Sequence, residues 1–166
     1  RITFGLTYFD TQVDNYIDYV NGTGYTKVSG IRTHGIESFV TLRPSESLRL
    51  RLNHTYQDTT NEQTDDDLVY RPDNKASFNL NWQVLDDRAS INLNGVYVGS
   101  RDKRASDSGA GRMDDYVLAN LAVSYKISKN LEPYVRVRNV LNENYESTPG
   151  FNTYGRTYYA GVTYSF

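Results

Sequence analysis

Residues 156–166 read RTYYAGVTYSF. The stretch alternates. Tyr158, Ala160, Val162, Tyr164 and Phe166 fall on one face of a strand, and Thr157, Tyr159, Gly161, Thr163 and Ser165 on the other. Chain termini usually fray into water. A bare aromatic strand here therefore poses a choice between an edge strand of a soluble sheet and the closing strand of a membrane-spanning barrel.

Working outward from it, strand signals recur through the whole chain and helix signals are nearly absent. Immediately upstream, Val135 and Val137 oppose Tyr134, Arg136 and Arg138. Before the Ser128-Lys129-Asn130 turn, Val117, Ala119, Leu121, Val123, Tyr125 and Ile127 oppose Asn120, Ala122, Ser124 and Lys126. Further back, Ala89, Ile91, Leu93 and Tyr97 oppose Ser90, Asn92 and Asn94, and Ala76, Phe78, Leu80, Trp82 and Val84 oppose Ser77, Asn79, Asn81 and Gln83. The cleanest strand is 48–56, with Leu48, Leu50 and Leu52 against Arg49, Arg51, Asn53 and Thr55. Residues 25–43 read as one strand with a bulge near Gly30 or Gly35. Residues 2–20 read as another with a bend, followed by a turn at Asn21-Gly22-Thr23-Gly24. The sum is an all-β chain, an antiparallel up-and-down meander of about eight strands.

Composition narrows the class. Net charge is −2, which leaves no basic footprint for nucleic acid. There is no cysteine, so disulfides and thiolate metal sites are excluded. Fifteen tyrosines accompany one Trp and one Met. Tyr pairs an apolar ring with a polar tip, which suits a membrane interface or a ligand-binding wall. No apolar run is long enough for a transmembrane helix, but a barrel strand needs apolar residues only at alternate positions. The chain opens on Arg1 and runs straight into ITFGLTYF without a signal-peptide pattern. It reads as mature, or as a piece of something longer.

The connections and faces favour a membrane barrel. Tight turns near Pro44, Asp86 and Lys129 alternate with long loops near Thr60, Ser108 and Pro149. Short turns on one rim and long loops on the other describe a transmembrane barrel, with the short rim periplasmic. The polar face carries Glu37, Arg49, Arg51, Lys126, Glu132, Arg136 and Arg138, which suits a wet lumen with charges paired across it. The apolar face keeps charges out over most of its length, as a bilayer requires, since Lys or Arg at the midplane costs ~2–4 kcal/mol. Trp82, Tyr125, Tyr164 and Phe166 lie toward the short-turn rim, and Tyr8, Tyr56, Tyr97 and Tyr158 toward the long-loop rim, as two interfacial girdles do. A soluble sandwich would need a second apolar face to cover the first.

Signals for chemistry are weak. His34 and His54 are the only histidines and neither has a positioned partner for general-base work, so no catalytic residue is assigned. Glu62 with Asp65, Asp66 and Asp67 lacks the spacing of a calcium loop and reads as a solvated acidic loop. Gly109 and Gly111 lack the strand-to-helix context of a phosphate cradle. No cofactor is implied.

Specific motifs then enter. The segment 137–166, VRNVLNENYESTPGFNTYGRTYYAGVTYSF, resembles the end of a TonB-dependent outer-membrane receptor through Arg138-Asn139-Val140-Leu141-Asn142, Tyr145-Glu146, Gly150-Phe151, Gly155-Arg156 and the aromatic strand. THGIESFVTLRPSESL at 33–48 is similar to a family strand with Gly35 and Glu37 and its short periplasmic turn. Tyr70-Arg71-Pro72-Asp73-Asn74-Lys75 is similar to the family's entry to a strand. Val98-Gly99-Ser100-Arg101-Asp102 resembles the cobalamin-receptor branch, with siderophore receptors next.

The resemblance implies nutrient import across the bacterial outer membrane rather than enzymology. The implied partners are outer-membrane lipid, a small-molecule ligand (cobalamin or a ferric siderophore) and the TonB complex acting through a plug domain. Tyr159, Gly161, Tyr164 and Phe166 match a barrel-assembly signal, which implies recognition by the assembly machinery through strand addition. The family barrel has about twenty-two strands and a plug. Residues 1–166 therefore read as the C-terminal part of such a barrel, without the plug. Its eight strands either close on themselves as a small barrel, with an adhesive or structural role, or stand as an open curved wall.

Overall fold

The computed structural model describes residues 1–20, 22–27, 30–104 and 111–166, with the side chains of Asp18 and Val20 left aside. Asn21 of the expected first turn, Ser108 and Gly109 lie outside the described residues. The strands are β1 (Ile2–Val13), β2 (Ile17–Val20), β3 (Gly24–Lys27), β4 (Ile31–Leu42), β5 (Leu48–Asn61), β6 (Asn74–Val84), β7 (Ala89–Val98), β8 (Arg101–Asp102), β9 (Arg112–Met113), β10 (Tyr116–Tyr125), β11 (Leu131–Arg138) and β12 (Thr157–Tyr164). One eight-stranded sheet runs β1-β4-β5-β6-β7-β10-β11-β12, and β2-β3 and β8-β9 are small hairpins within loops. The pairings are antiparallel throughout the large sheet. β1 and β12 are its two edges and do not pair, so the wall is open.

Register sorts every side chain to a face. One row across the sheet is Ile2, Leu42, Leu50, Leu80, Leu93, Leu121, Val137 and Tyr158. The neighbouring row on the opposite face is Thr3, Thr41, Arg51, Asn79, Asn94 and Asn120. A one-residue slip anywhere would exchange these sets, so the alternation fixes the register. Among the described residues, no layer packs over the apolar face. Leu52 is 43% exposed, Trp82 44% and Val162 61%. The buried apolar residues described are Ala89, Met113 and Ala119, and no large side chain is fully buried among the described residues. A soluble sandwich hides its apolar rows against a second sheet; this sheet leaves them bare.

Four sequence expectations shift. The first strand stops at Val13, and β2 belongs to a separate hairpin. The second is divided as well, into β3 and β4. No bulge interrupts β4: pairing is continuous from Ile31 to Leu42, and the lack of a Cβ on Gly35 admits the Phe9 ring and the backbone of β5. β10 ends at Tyr125, so Lys126 stands in the turn 126–130, where its N–H donates to the Arg88 carbonyl.

The expected short turns join β4 to β5, β6 to β7 and β10 to β11. In the second of them Leu85, Asp86 and Asp87 take left-handed φ of 56, 54 and 62°. Asp tolerates that region better than most residues, and consecutive positive φ values match the twist of the flanking strands.

Candidate functional site at the long-loop rim

The described residues of 14–30, 62–73, 99–115 and 139–156 connect strands at the rim opposite the tight turns. The last two segments are tied together. Arg101 is 4% exposed; its Nη2 donates to the carbonyls of Glu146, at 2.7 Å, and Ser147, at 3.3 Å. Its guanidinium lies 5.5 Å from the Tyr116 ring, and Tyr116 in turn packs 4.6 Å from Tyr145. A cleft of about 290 Å³ opens beside this stack, lined by Lys103, Arg112, Asp114, Glu143 and Asn152 among others.

Asn139 organises the longer loop. It adopts φ 50° and is 6% exposed. Its N–H donates to Asn120 Oδ1 (3.0 Å), its Nδ2 to the Glu143 carbonyl (2.9 Å), and its Oδ1 accepts from the Glu143 N–H (2.9 Å). Asn142, also left-handed at φ 55°, accepts from the Arg156 N–H through Oδ1 at 3.0 Å. Asn tolerates the left-handed region and mimics backbone with its amide, which is why two asparagines three positions apart can reverse the chain here. A second cleft, about 360 Å³, lies between Asn120, Asn139, Tyr154, Thr157 and Tyr159.

The acidic loop is built on its own backbone. Asn61 Oδ1 accepts from the N–H groups of Gln63 and Thr64, and the Asp65 N–H donates to the Asn61 carbonyl. At its end, burial, assisted by the Asp67 carboxylate, pushes the Asp73 carboxyl above its ordinary range. No group of three or more His, Asp or Glu is placed to hold a metal among the described residues.

Register puts Glu37, Arg49, Arg51, Glu132, Arg136 and Arg138 on the polar face. Arg49, Asn81, Asn92, Ala122, Arg136 and Tyr159 form one row of it. The expected cross-lumen ion pairs are not formed among the described residues. Arg51 instead lies 4.4 Å from the Phe39 ring and donates to Asn53 Oδ1, and Glu132 accepts from Ser124 Oγ at 2.6 Å. Between the arginines runs a band of neutral amides and hydroxyls, with Asn53 bonded to Ser77 and Asn120 to Asn94. Ion pairs form between Arg32 and Asp10 and between Arg112 and Asp102, both at the long-loop end. His54 Nε2 lies 3.2 Å from Asn74 Oδ1. Tyr159, Gly161 and Tyr164 lie in β12, with the Tyr134 ring over Gly161; Phe166 follows two residues beyond Tyr164.

Sequence reasoning missed Arg101, Tyr116, Asn120 and Asn139 as organisers of the rim. Two of them were within reach: Arg101 and Asn139 both sit in the motifs quoted for the family resemblance.

A profile of the family described as TonB dependent receptor-like, beta-barrel, matches residues 1–140. The chain belongs to this family. The barrel wall is therefore one of the bacterial outer membrane, and the family is one of receptors and transporters. The vitamin B12 transporter BtuB of Photobacterium profundum is 26% identical over 115 residues, which are 69% of this chain and 18% of that protein. A mutant of the ferric enterobactin receptor PfeA from Pseudomonas aeruginosa superposes with TM-score 0.79 at 25% identity, over 99% of this chain and 29% of that one. The ferric-catecholate import receptor Fiu from K12 E. coli gives TM-score 0.79 at 19% identity, over 100% of this chain and 25% of that one. The chain thus spans about a fifth of the length of the curated relative and a quarter or so of the solved receptors.

Proposed function

We propose that the chain is one part of the wall of a longer TonB-dependent receptor, which imports cobalamin or a ferric siderophore across the outer membrane. The observation that carries this reading is the family match over an open sheet with a bare apolar face and a polar face. Both edges of the sheet have unpaired backbone groups, which favours further strands on either side. The short share of each relative's length points the same way.

In this reading the polar face, with Glu37, Arg49, Arg51, Glu132, Arg136 and Arg138, lines the lumen, and Lys126 marks its periplasmic rim. A plug elsewhere in the receptor fills that lumen and couples import to the TonB complex. The linked loops 99–115 and 139–156 form part of the ligand mouth. Their clefts are lined by hydrogen-bonding groups of mixed charge, which suits a polar ligand held by many contacts. Tyr159, Gly161, Tyr164 and Phe166 serve as the assembly signal. Of the relatives named above, one is a vitamin B12 transporter and two are ferric receptors, which supports these two ligand classes.

The test is uptake by cells whose only receptor of this kind is the full-length protein. Radiolabelled cobalamin and a panel of ferric siderophores are offered with and without residues 143–153. One ligand class should accumulate in a TonB-dependent way, and the loop deletion should abolish its uptake while leaving a heat-modifiable barrel. TonB-independent uptake, or none of either class, refutes the reading.

A further inference from the structure

The two rim clefts differ in charge. The first, beside Arg101, sets Lys103 and Arg112 among the carboxylates of Asp114, Asp115, Glu143 and Glu146. The second, about 360 Å³, holds a single charged side chain, Arg138, among Asn, Thr and Tyr side chains. Residues 152–155 of the longer loop line it together with the outer ends of β10, β11 and β12.

Register explains the difference. On the polar face β11 presents Glu132, Tyr134, Arg136 and Arg138. To one side β10 offers Leu118, Asn120, Ala122 and Ser124; to the other β12 offers Thr157, Tyr159, Gly161 and Thr163. Glu132 is the one carboxylate on the polar face of these three strands. At ~3.4 Å per residue it stands about 20 Å from Arg138 along β11, and it accepts from Ser124. Arg138 and Arg136 are exposed, and neither has an ion-pair partner among the described residues.

The amides nearest the cleft are committed to the loop. Asn120 donates to Asn94 and accepts from the Asn139 N–H, and the Asn139 side chain bonds Glu143. The lining left to meet a ligand includes the Arg138 guanidinium, the Thr157 hydroxyl and the exposed rings of Tyr154 and Tyr159. A guanidinium without a counter-charge takes an oxyanion through charge-assisted, bidentate hydrogen bonds. A cleft of one sign of charge concentrates ligands of the other. Tyrosine rings add flat apolar faces against which another ring packs. Cation, hydroxyls and ring faces together suit an anion whose charge sits on an aromatic ring, and a ligand without charge gains nothing from Arg138.

We infer that Arg138 makes this cleft a specificity subsite for an anionic, aromatic ferric chelate of the catecholate kind, in preference to an uncharged ligand such as cyanocobalamin. The inference rests on the import reading above and narrows it to one ligand class.

The test is isothermal titration calorimetry of the purified full-length receptor with three probes. Ferric enterobactin is a trianionic tris-catecholate, ferrichrome an uncharged tris-hydroxamate, and cyanocobalamin is uncharged overall. Ferric enterobactin should bind at least tenfold more tightly than either of the others. Arg138→Gln should weaken its binding about ten- to a hundred-fold, the range of a hydrogen bond to a charged group. Arg138→Lys keeps the charge and should weaken it less. Thr157→Glu sets a carboxylate opposite Arg138 in the register and should weaken it as well, which keeps the test open if Arg138→Gln does not fold. Heat-modifiable mobility checks the fold of each variant. Tighter binding of ferrichrome or cyanocobalamin overturns the inference and leaves the import reading standing. So does ferric enterobactin binding that neither variant changes, the result expected if a plug carboxylate occupies Arg138. Binding of none of the three overturns both.

Discussion

The two faces of the sheet share one backbone ladder and differ in where stability comes from. On the apolar face, neighbouring rows of Leu, Val and aromatic side chains meet no covering layer, and lipid supplies the contacts. On the polar face, side chains bond to one another across strands: Asn53 to Ser77, Asn120 to Asn94, Ser124 to Glu132. The apolar face is therefore sensitive to charge and tolerant of shape. The polar face tolerates charge and is sensitive to shape and to hydrogen-bond loss. Lipid is a fluid that fills a gap; a fixed amide is not.

The sharpest way to break this contrast is Leu93→Arg against Asn92→Arg, adjacent residues on opposite faces of β7. Leu93→Arg should cost ~2–4 kcal/mol of folding stability in vesicles, and Asn92→Arg only about 0.5–1.5 kcal/mol, for the loss of its hydrogen bond to Ser90, as measured by denaturant midpoint. Equal effects would mean that Leu93 does not face lipid. Next comes Asn120→Ala against Leu121→Ala. Asn120 holds the Asn139 N–H, so its loss should cost about 1–3 kcal/mol and open residues 141–155 to protease. Leu121→Ala should cost less than a buried truncation in a soluble core, because lipid occupies the space.

Glycines under aromatic rings sharpen the comparison further. A Cβ at Gly5 would run into the Phe39 ring, and one at Gly95 into the Phe78 ring. Phe39 is held on the polar face by Arg51, while Phe78 can swing into lipid. Gly5→Ala should therefore cost about 1–3 kcal/mol and Gly95→Ala less. The smallest effect is expected of Arg51→Met, which removes a cation–π contact worth about 0.5–1 kcal/mol at a site of this exposure. It should lower the thermal midpoint slightly and diminish the cost of Gly5→Ala, since Phe39 is then free to move.

Most of the fold was legible because the signal is local. Leu48, Leu50 and Leu52 against Arg49 and Arg51 state a strand, a face and a register without reference to anything distant. Gly35 misled for the same reason: alone, a glycine in a strand suggests a bulge, and only the register shows that it makes room for Phe9 from the next strand. The rim was less legible. Arg101 meets the Glu146 and Ser147 carbonyls 45 and 46 residues away, and Asn139 meets Asn120 at 19. No periodicity encodes such contacts. Charge pairing across the polar face was expected from residue types alone, but Arg51 found an aromatic ring and an amide nearer than any carboxylate.

The meander order of the sheet also has a kinetic meaning. Small loop hairpins aside, each strand of the large sheet pairs only with the strand before and after it in sequence. Zipping can therefore proceed one hairpin at a time, with each new strand templated by the last. The connections differ greatly in length, from residues 85–88 to residues 139–156, yet each doubling of loop length adds only about 0.6 kcal/mol of closure entropy. Each pairing of the large sheet therefore joins neighbours in chain order, although its registers still span intervals such as Ile2 to Leu42 and Leu131 to Tyr164.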